Sequence, residues 1–139
     1  MLALGSCSLF SQNQLETVLK NGELSFLTYV GATTYYETPE GPAGFEYDLA
    51  KAFADYLDVE LRVVIAPRFA DLIPRLANGE ADFAAGLTVT EARRAQVRFT
   101  SPYQDIRQQV IYRLGNPRPT KIEDLIGREI EVHSGTSYA

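Results

Sequence analysis

Residues 82–103, DFAAGLTVTEARRAQVRFTSPY, decide how the rest of the chain is read. An apolar run from Phe83 to Leu87 has the look of a buried strand. It breaks at Thr88-Val89-Thr90, and Glu91, Arg93 and Arg94 then fall on the first turn of a helix. The stretch closes on Phe99-Thr100-Ser101-Pro102-Tyr103. A strand ending in small hydroxyl residues, followed by a helix start that carries arginines, suits an anion. The free N–H groups of a first helical turn and the helix dipole favour negative charge. Arginine adds a planar fork that matches a carboxylate with two parallel hydrogen bonds. The same residues also make an ordinary helix start, with Thr90 as N-cap, Glu91 as a first-turn acid and the arginines in water. The flanking segments have to separate the two readings.

Upstream, residues 12–21 read as a short helix with Leu15, Val18 and Leu19 on one face, ended by Gly22. Residues 23–30 alternate as a strand, with Leu24, Phe26 and Thr28 opposite Leu27 and Tyr29. Residues 31–44 hold three glycines and two prolines and read as loop. The clearest helix is 45–58, with Leu49, Ala50, Phe53, Ala54 and Leu57 inward. Residues 59–65 are β-branched and predict a strand. Residues 69–77 predict a helix in which Pro74 removes a backbone bond or bends the axis. Downstream, 105–114 and 128–133 read as strands on either side of a rigid turn (115–120) and one helical turn (121–126). This alternation predicts an α/β fold with a largely parallel sheet. Ligands in such sheets sit at the carboxyl ends of the strands. That rim would gather Thr28-Tyr29, the corner from Pro67 to Phe69, Gly86 to Thr90, and Ser134 to Thr136. Four segments meeting at one place favour the anion receptor over the plain helix start.

Composition removes several classes. The chain has 139 residues, 45% of them apolar, enough for a domain with a real core. A net charge of −5 with no basic block argues against nucleic acid as a partner. One cysteine and one histidine cannot assemble a Cys/His zinc site or an internal disulfide, so no metal is expected. No glycine-rich phosphate loop and no Gly-x-Ser-x-Gly elbow occur, so neither a nucleotide cofactor nor a serine hydrolase is expected. His133 beside Ser134 is no dyad by sequence adjacency, and Glu123-Asp124 reads as a solvated turn. No catalytic residue is assigned and no cofactor is expected; the segment reads as one that binds. No apolar run approaches the ~20 residues of a spanning helix.

The N-terminus carries a separate signal. Leu4-Gly5-Ser6-Cys7 has the order of a bacterial lipobox, an aliphatic residue and two small ones before the cysteine that takes the lipid. A polar tether, Ser8 to Gln14, follows. A full signal peptide needs a positive region and a longer apolar stretch than six residues supply, so the expectation is a start placed too far downstream. Cys7 is the candidate lipid-attachment residue. Ser8 in place of an aspartate points to the periplasmic side of the outer membrane.

In order along residues 23–138, the chain resembles the family 3 solute-binding proteins, the periplasmic receptors for amino acids. The matching phrases are Gly44-Phe45-Glu46-Tyr47-Asp48-Leu49-Ala50, Asn78-Gly79-Glu80-Ala81-Asp82, Gly86-Leu87-Thr88-Val89-Thr90-Glu91-Ala92-Arg93, Phe99 to Tyr103, Glu123 to Gly127, and Ser134-Gly135-Thr136. Within that family the phrases TYYETPEGPAGFEYDLAKAFADYL and RQQVIYRLGNPRPTKIEDLIG are most similar to the receptor module of the membrane-bound lytic murein transglycosylases. The resemblance implies a type II periplasmic-binding-protein-like fold. Residues 1–22 would hold a signal remnant, tether and short helix, 23–104 the first lobe, and 105–139 the crossover and the start of a second lobe. It implies a small-molecule ligand, an amino acid or a muropeptide. Arg93 would grip its carboxylate, Thr88 and the backbone at Gly86 would add hydrogen bonds, Thr136 would reach in from the second lobe, and Phe69 and Tyr29 would wall the side chain. It also implies a C-terminal catalytic domain, absent from these residues, that cleaves glycan strands without water. The alternatives are the receptor lipoprotein of an amino-acid importer, and a scaffold that binds another protein. One departure is expected to matter: three residues separate Asp82 from Gly86, where the family usually has four. Such a deletion reverses side-chain direction unless a bulge or loop absorbs it.

Overall fold

The computed structural model describes residues 13–137. Its centre is a three-stranded parallel sheet in the order β4-β1-β5, where β1 is Glu23–Thr28, β4 is Glu60–Ile65 and β5 is Phe83–Ala84. β1 lies in the middle, and every residue after Glu23 is buried. Its alternation sends side chains to two separate cores. Leu24 meets Val18 and Ala54 under α1 (Asn13–Asn21) and α2 (Phe45–Tyr56). Leu27 meets Ala66, Phe69, Leu72 and Ala81 under α3 (Leu72–Ala77). A parallel sheet covered on both faces is the expected α/β architecture. Phe26, fully buried, stacks on Phe83 of the neighbouring strand at 5.1 Å between centroids, and Phe53 of α2 meets Phe83 edge-on at 5.9 Å.

Four local readings are corrected. The segment 31–44 is not all loop: β2 (Tyr36–Thr38) and β3 (Gly41–Ala43) form an antiparallel hairpin across the Pro39-Glu40 turn. The helix expected over 69–77 starts as a 3-10 turn, Phe69–Asp71, and becomes α-helical only at Leu72. Pro74 therefore sits in the first α-turn, where its missing N–H would have had no intrahelical partner. The third strand stops at Ala84 rather than Leu87, and Gly86 turns into the left-handed region with φ 74°. Finally, 105–114 and 128–133 form no strands. Their apolar residues stand in solvent, with Ile111 and Leu114 almost fully exposed. Alternation supplies a face, but a strand exists only through a ladder, and no described strand takes up these N–H groups.

Gly44 is a position where only glycine works. Its φ is 137°, and a Cβ there would lie 2.4 Å from the Thr34 carbonyl oxygen. That close approach lets the Thr33 and Thr34 carbonyls accept from Glu46 N–H and Tyr47 N–H, each at 3.1 Å, and cap α2 without a side chain. At the other side of the sheet Asp82 accepts from Ser25 N–H at 2.8 Å and from Ser25 Oγ–H at 2.5 Å. Partial burial pushes its carboxyl pKa up, but the two Ser25 hydrogen bonds, with Gln14 adding a third, outweigh this and hold it below the ordinary 3.8. A depressed carboxylate stabilises the fold above its ordinary pKa and loses that contribution as pH falls through the lower, folded value. Urea midpoints should therefore fall between pH 7 and about pH 3 in the wild type, and less steeply in Asp82→Asn.

A candidate ligand-binding site around Arg93

α4 (Glu91–Arg94) starts as an ordinary cap would have it. Thr90 is extended, and its Oγ1 accepts from the Arg93 N–H at 3.3 Å. Glu91 and Arg94 are exposed, and Arg94 reaches Glu91 only at 4.0 Å. The plain helix-start reading fits Thr90, Glu91 and Arg94, but Arg93 behaves differently from its neighbours. It is 9% exposed. One guanidinium nitrogen donates to the Thr88 carbonyl at 2.8 Å and the other to the Gly135 carbonyl at 2.9 Å. Its Cζ lies 5.5 Å from the centroid of the Phe69 ring, a cation–π distance. Among the described residues no carboxylate pairs with it. The helix dipole contributes less than expected, since α4 is four residues long and its aligned peptides are few. Charge at this site comes from the side chain.

Phe69 is buried and serves two roles at once. It belongs to the α3-side core, where Tyr29 meets it edge-on at 5.3 Å, and its ring also backs Arg93. The imidazole of His133 lies 5.9 Å from the same ring. The turn 133–136 is docked on this cluster. Thr136 Oγ1 donates to the His133 carbonyl at 2.6 Å, and Gly135 packs so tightly that a Cβ on it would stand 2.6 Å from Ala70 Cβ. Arg93, Thr88, Phe69, Tyr29 and the Thr136 turn are therefore together. Thr88 takes part through its carbonyl. Gly86 lies two residues before Thr88, and its N–H is held by Tyr103 Oη at 3.1 Å. Cys7 lies outside the described residues.

Three contributors carried no role in the sequence reading. Gly135 was visible only as the middle of Ser134-Gly135-Thr136. Glu46 and Tyr103 stood inside quoted phrases, but a first-turn acid and a lone tyrosine look alike in sequence whether exposed or buried. Glu46 is 7% exposed, and both its carboxylate oxygens lie within reach of Tyr103 Oη–H, at 2.7 and 2.6 Å. A hollow of about 560 Å³ lies elsewhere, lined by Gly22, Tyr47, Lys51, Asp55, Asp58 and Glu60 among others, and shares no residue with the Arg93 cluster. Among the described residues there is no cluster of metal-ligand type, and no helix is long and apolar enough to cross a membrane.

Comparison with known proteins agrees with this fold. The sequence model of the bacterial extracellular solute-binding proteins, family 3, matches residues 28–134. A membrane-bound lytic murein transglycosylase F 1 from Alkalilimnicola ehrlichii is 48% identical over 126 residues, 90% of this chain and 26% of that protein. A membrane-bound lytic murein transglycosylase F from Pseudomonas fluorescens is 42% identical over 140 residues, 99% of this chain and 29% of that protein. The chain thus spans little more than a quarter of these relatives. Among solved structures, an ancestral amino acid-binding protein, a precursor of cyclohexadienyl dehydratase, superposes with a TM-score of 0.60 at 32% identity, covering 65% of this chain and 40% of that one. The arginine-bound form of domain 1 of the T. maritima protein ArgBP gives 0.56 at 34% identity, covering 63% of this chain and 71% of that one. The matches are to type II periplasmic binding proteins.

Gly135 tests how the turn is held. Gly135→Ala adds a Cβ at a φ of 79°, against Ala70, and left-handed strain alone costs about 1–3 kcal/mol. The turn should lift while the sheet stays intact. Phenylglyoxal should then modify Arg93 severalfold faster than in the wild type, as read by peptide mass mapping.

Proposed function

Because the chain belongs to the bacterial extracellular solute-binding proteins, family 3, we propose that it is the ligand-sensing module of a membrane-bound lytic murein transglycosylase. The observation that carries this reading is the buried guanidinium of Arg93, which has two carbonyl partners and no described anion. A buried cation without a counter-charge is costly. A ligand carboxylate relieves that cost, because it supplies the full opposite charge that the neutral carbonyls lack. The carboxylate takes the place of the Gly135 carbonyl on the guanidinium fork. Phe69 and Tyr29 form the wall beside it, Thr88 and the Gly86 backbone line the loop, and Thr136 approaches from the second lobe. Residues 23–104 are the first lobe, and 105–139 are the crossover and the beginning of the second.

The ligand class is a free amino acid or a peptidoglycan peptide. Both present the carboxylate that Arg93 suits, and the relatives at 48% and 42% identity are enzymes named for murein. Cys7, in its lipobox, carries the lipid that holds the protein on the periplasmic side of the outer membrane. Cleavage of glycan strands falls to a further domain, which these residues do not supply. A second reading, the receptor lipoprotein of an amino-acid importer, draws on the likeness to the ancestral amino acid-binding protein and to the arginine-bound domain.

Calorimetry with the twenty common amino acids and the stem tripeptide L-alanyl-γ-D-glutamyl-meso-diaminopimelate identifies the ligand. Binding of the tripeptide favours the murein reading over the importer, whereas binding of one free amino acid alone fits both. In either case Arg93→Ala should weaken binding at least about 30-fold, since losing one partner of a buried charge pair costs about 2–5 kcal/mol. Unchanged affinity in that variant would remove the basis of both. Cys7→Ser should move the protein from the membrane to the soluble fraction.

A further inference from the structure

Glu46 is a buried carboxylate with no described cation beside it. It stands in the first turn of the twelve-residue helix α2, where the helix dipole favours negative charge. Its carboxylate is met by Tyr103 Oη–H. The same phenol oxygen accepts from Gly86 N–H at 3.1 Å. The result is a directed chain of hydrogen bonds, from amide to phenol to carboxylate, in which each bond polarises the next.

This chain ends on a loop whose other anchors are Leu87, packed against the α3-side core, and the bonds of Thr88 and Thr90 to Arg93. β5 stops at Ala84 and α4 begins at Glu91, so residues 85–90 cross from one to the other without regular structure. Gly86, at φ 74°, is the freest backbone position within it. Two residues later the Thr88 carbonyl receives the Arg93 guanidinium. Fixing the Gly86 peptide therefore fixes where that carbonyl, and the guanidinium on it, come to rest. Burial pushes the Tyr103 pKa up, reinforced by the Glu46 hydrogen bond, to about 12, so the phenol keeps its proton at any physiological pH.

We propose that Tyr103 and Glu46 are positioning residues for the ligand site, clamping the Gly86 peptide so that the 86–90 loop presents Arg93 in one place. The proposal rests on Arg93 being the ligand-binding group. Neither residue touches the ligand; both act through the loop. Tyr103 also lies just before the segment that leaves the first lobe, so the clamp ties that segment to the ligand loop.

The test compares Tyr103→Phe, Glu46→Ala and Glu46→Gln in the whole protein. Tyr103→Phe keeps the ring and removes both bonds; Glu46→Gln keeps an acceptor for the phenol, whereas Glu46→Ala does not. Hydrogen exchange at the Gly86 amide should quicken about tenfold in Tyr103→Phe and Glu46→Ala and stay near wild type in Glu46→Gln. Phenylglyoxal modification of Arg93 should quicken in the same two variants. Their affinity for L-arginine or the stem tripeptide should fall about tenfold, with Glu46→Gln largely rescued. The clamp is refuted if Tyr103→Phe melts earlier but leaves Arg93 reactivity and affinity as in the wild type. If Arg93→Ala loses the ligand and Tyr103→Phe does not, the ligand site stands and the clamp falls. If neither probe binds the wild type, Gly86 exchange and Arg93 reactivity decide the clamp, and it falls if both stay at the wild-type rate in Tyr103→Phe.

Discussion

The bond on which the site depends is the one from Ser25 to Asp82. β5 is two residues long, too short to hold its place by ladder bonds alone. The Asp82 carboxylate makes up for this just before the strand begins, accepting from the backbone and the hydroxyl of Ser25 at 2.8 and 2.5 Å. The Asp82 N–H returns a bond to Ser25 Oγ at 2.9 Å. These charge-assisted contacts pin an edge strand to the most buried strand of the sheet. Whatever follows β5 in sequence inherits that position: the turn at Gly86, the carbonyl of Thr88, and Arg93. An aspartate one residue before a short strand is thus worth more to the site than its distance from it suggests.

Much of the architecture was legible because it is written as period. The alternation in 23–28 and the 3.6-residue spacing in 45–56 each mark an element; both faces of β1 are buried, in two cores, while on α2 Ala50 and Ala54 are buried and Leu49 and Phe53, read as inward, stay exposed. Where the pattern misled, a partner was the missing quantity. Residues 105–114 have the alternation of a strand and no described neighbour to ladder with. Pro74 looked costly because the helix was started at Phe69; the 3-10 turn resets the count and makes the proline harmless. The hairpin at 36–43 was hidden because strands of three residues leave no period to detect.

The site was legible in kind and less so in detail. That Arg93, rather than Arg94, is the buried one follows from its lying three residues after the Thr90 cap, on the side facing Phe69. A sequence shows the cap but not the face. The burial of Glu46 could not have been read at all, since an acid in a first helical turn is the commonest way to satisfy exposed N–H groups. In the fold its carboxylate meets the Tyr103 hydroxyl, with Phe45 beside the Tyr103 ring at 6.2 Å and Gly86 close by.

Arg93 and Glu46 are opposite charges, both buried, and neither has an ion partner among the described residues. A fold built only for stability would pair or replace them, because an unpaired buried charge is among the costlier features a core can hold. Here each is stabilised by neutral groups instead: carbonyls and an aromatic face for Arg93, a phenol and a helix start for Glu46. That arrangement makes them differ in what they can accept. The phenol and the amide behind it satisfy Glu46 with donors on a fixed frame, so it has little to gain from a newcomer. Arg93 is met by carbonyls, one of which belongs to a turn held by packing against Ala70 and Phe69. Exchanging that carbonyl for a carboxylate keeps the hydrogen bond and adds a full charge. On the proposed reading, this asymmetry gives Glu46 a structural part and Arg93 a receptive one.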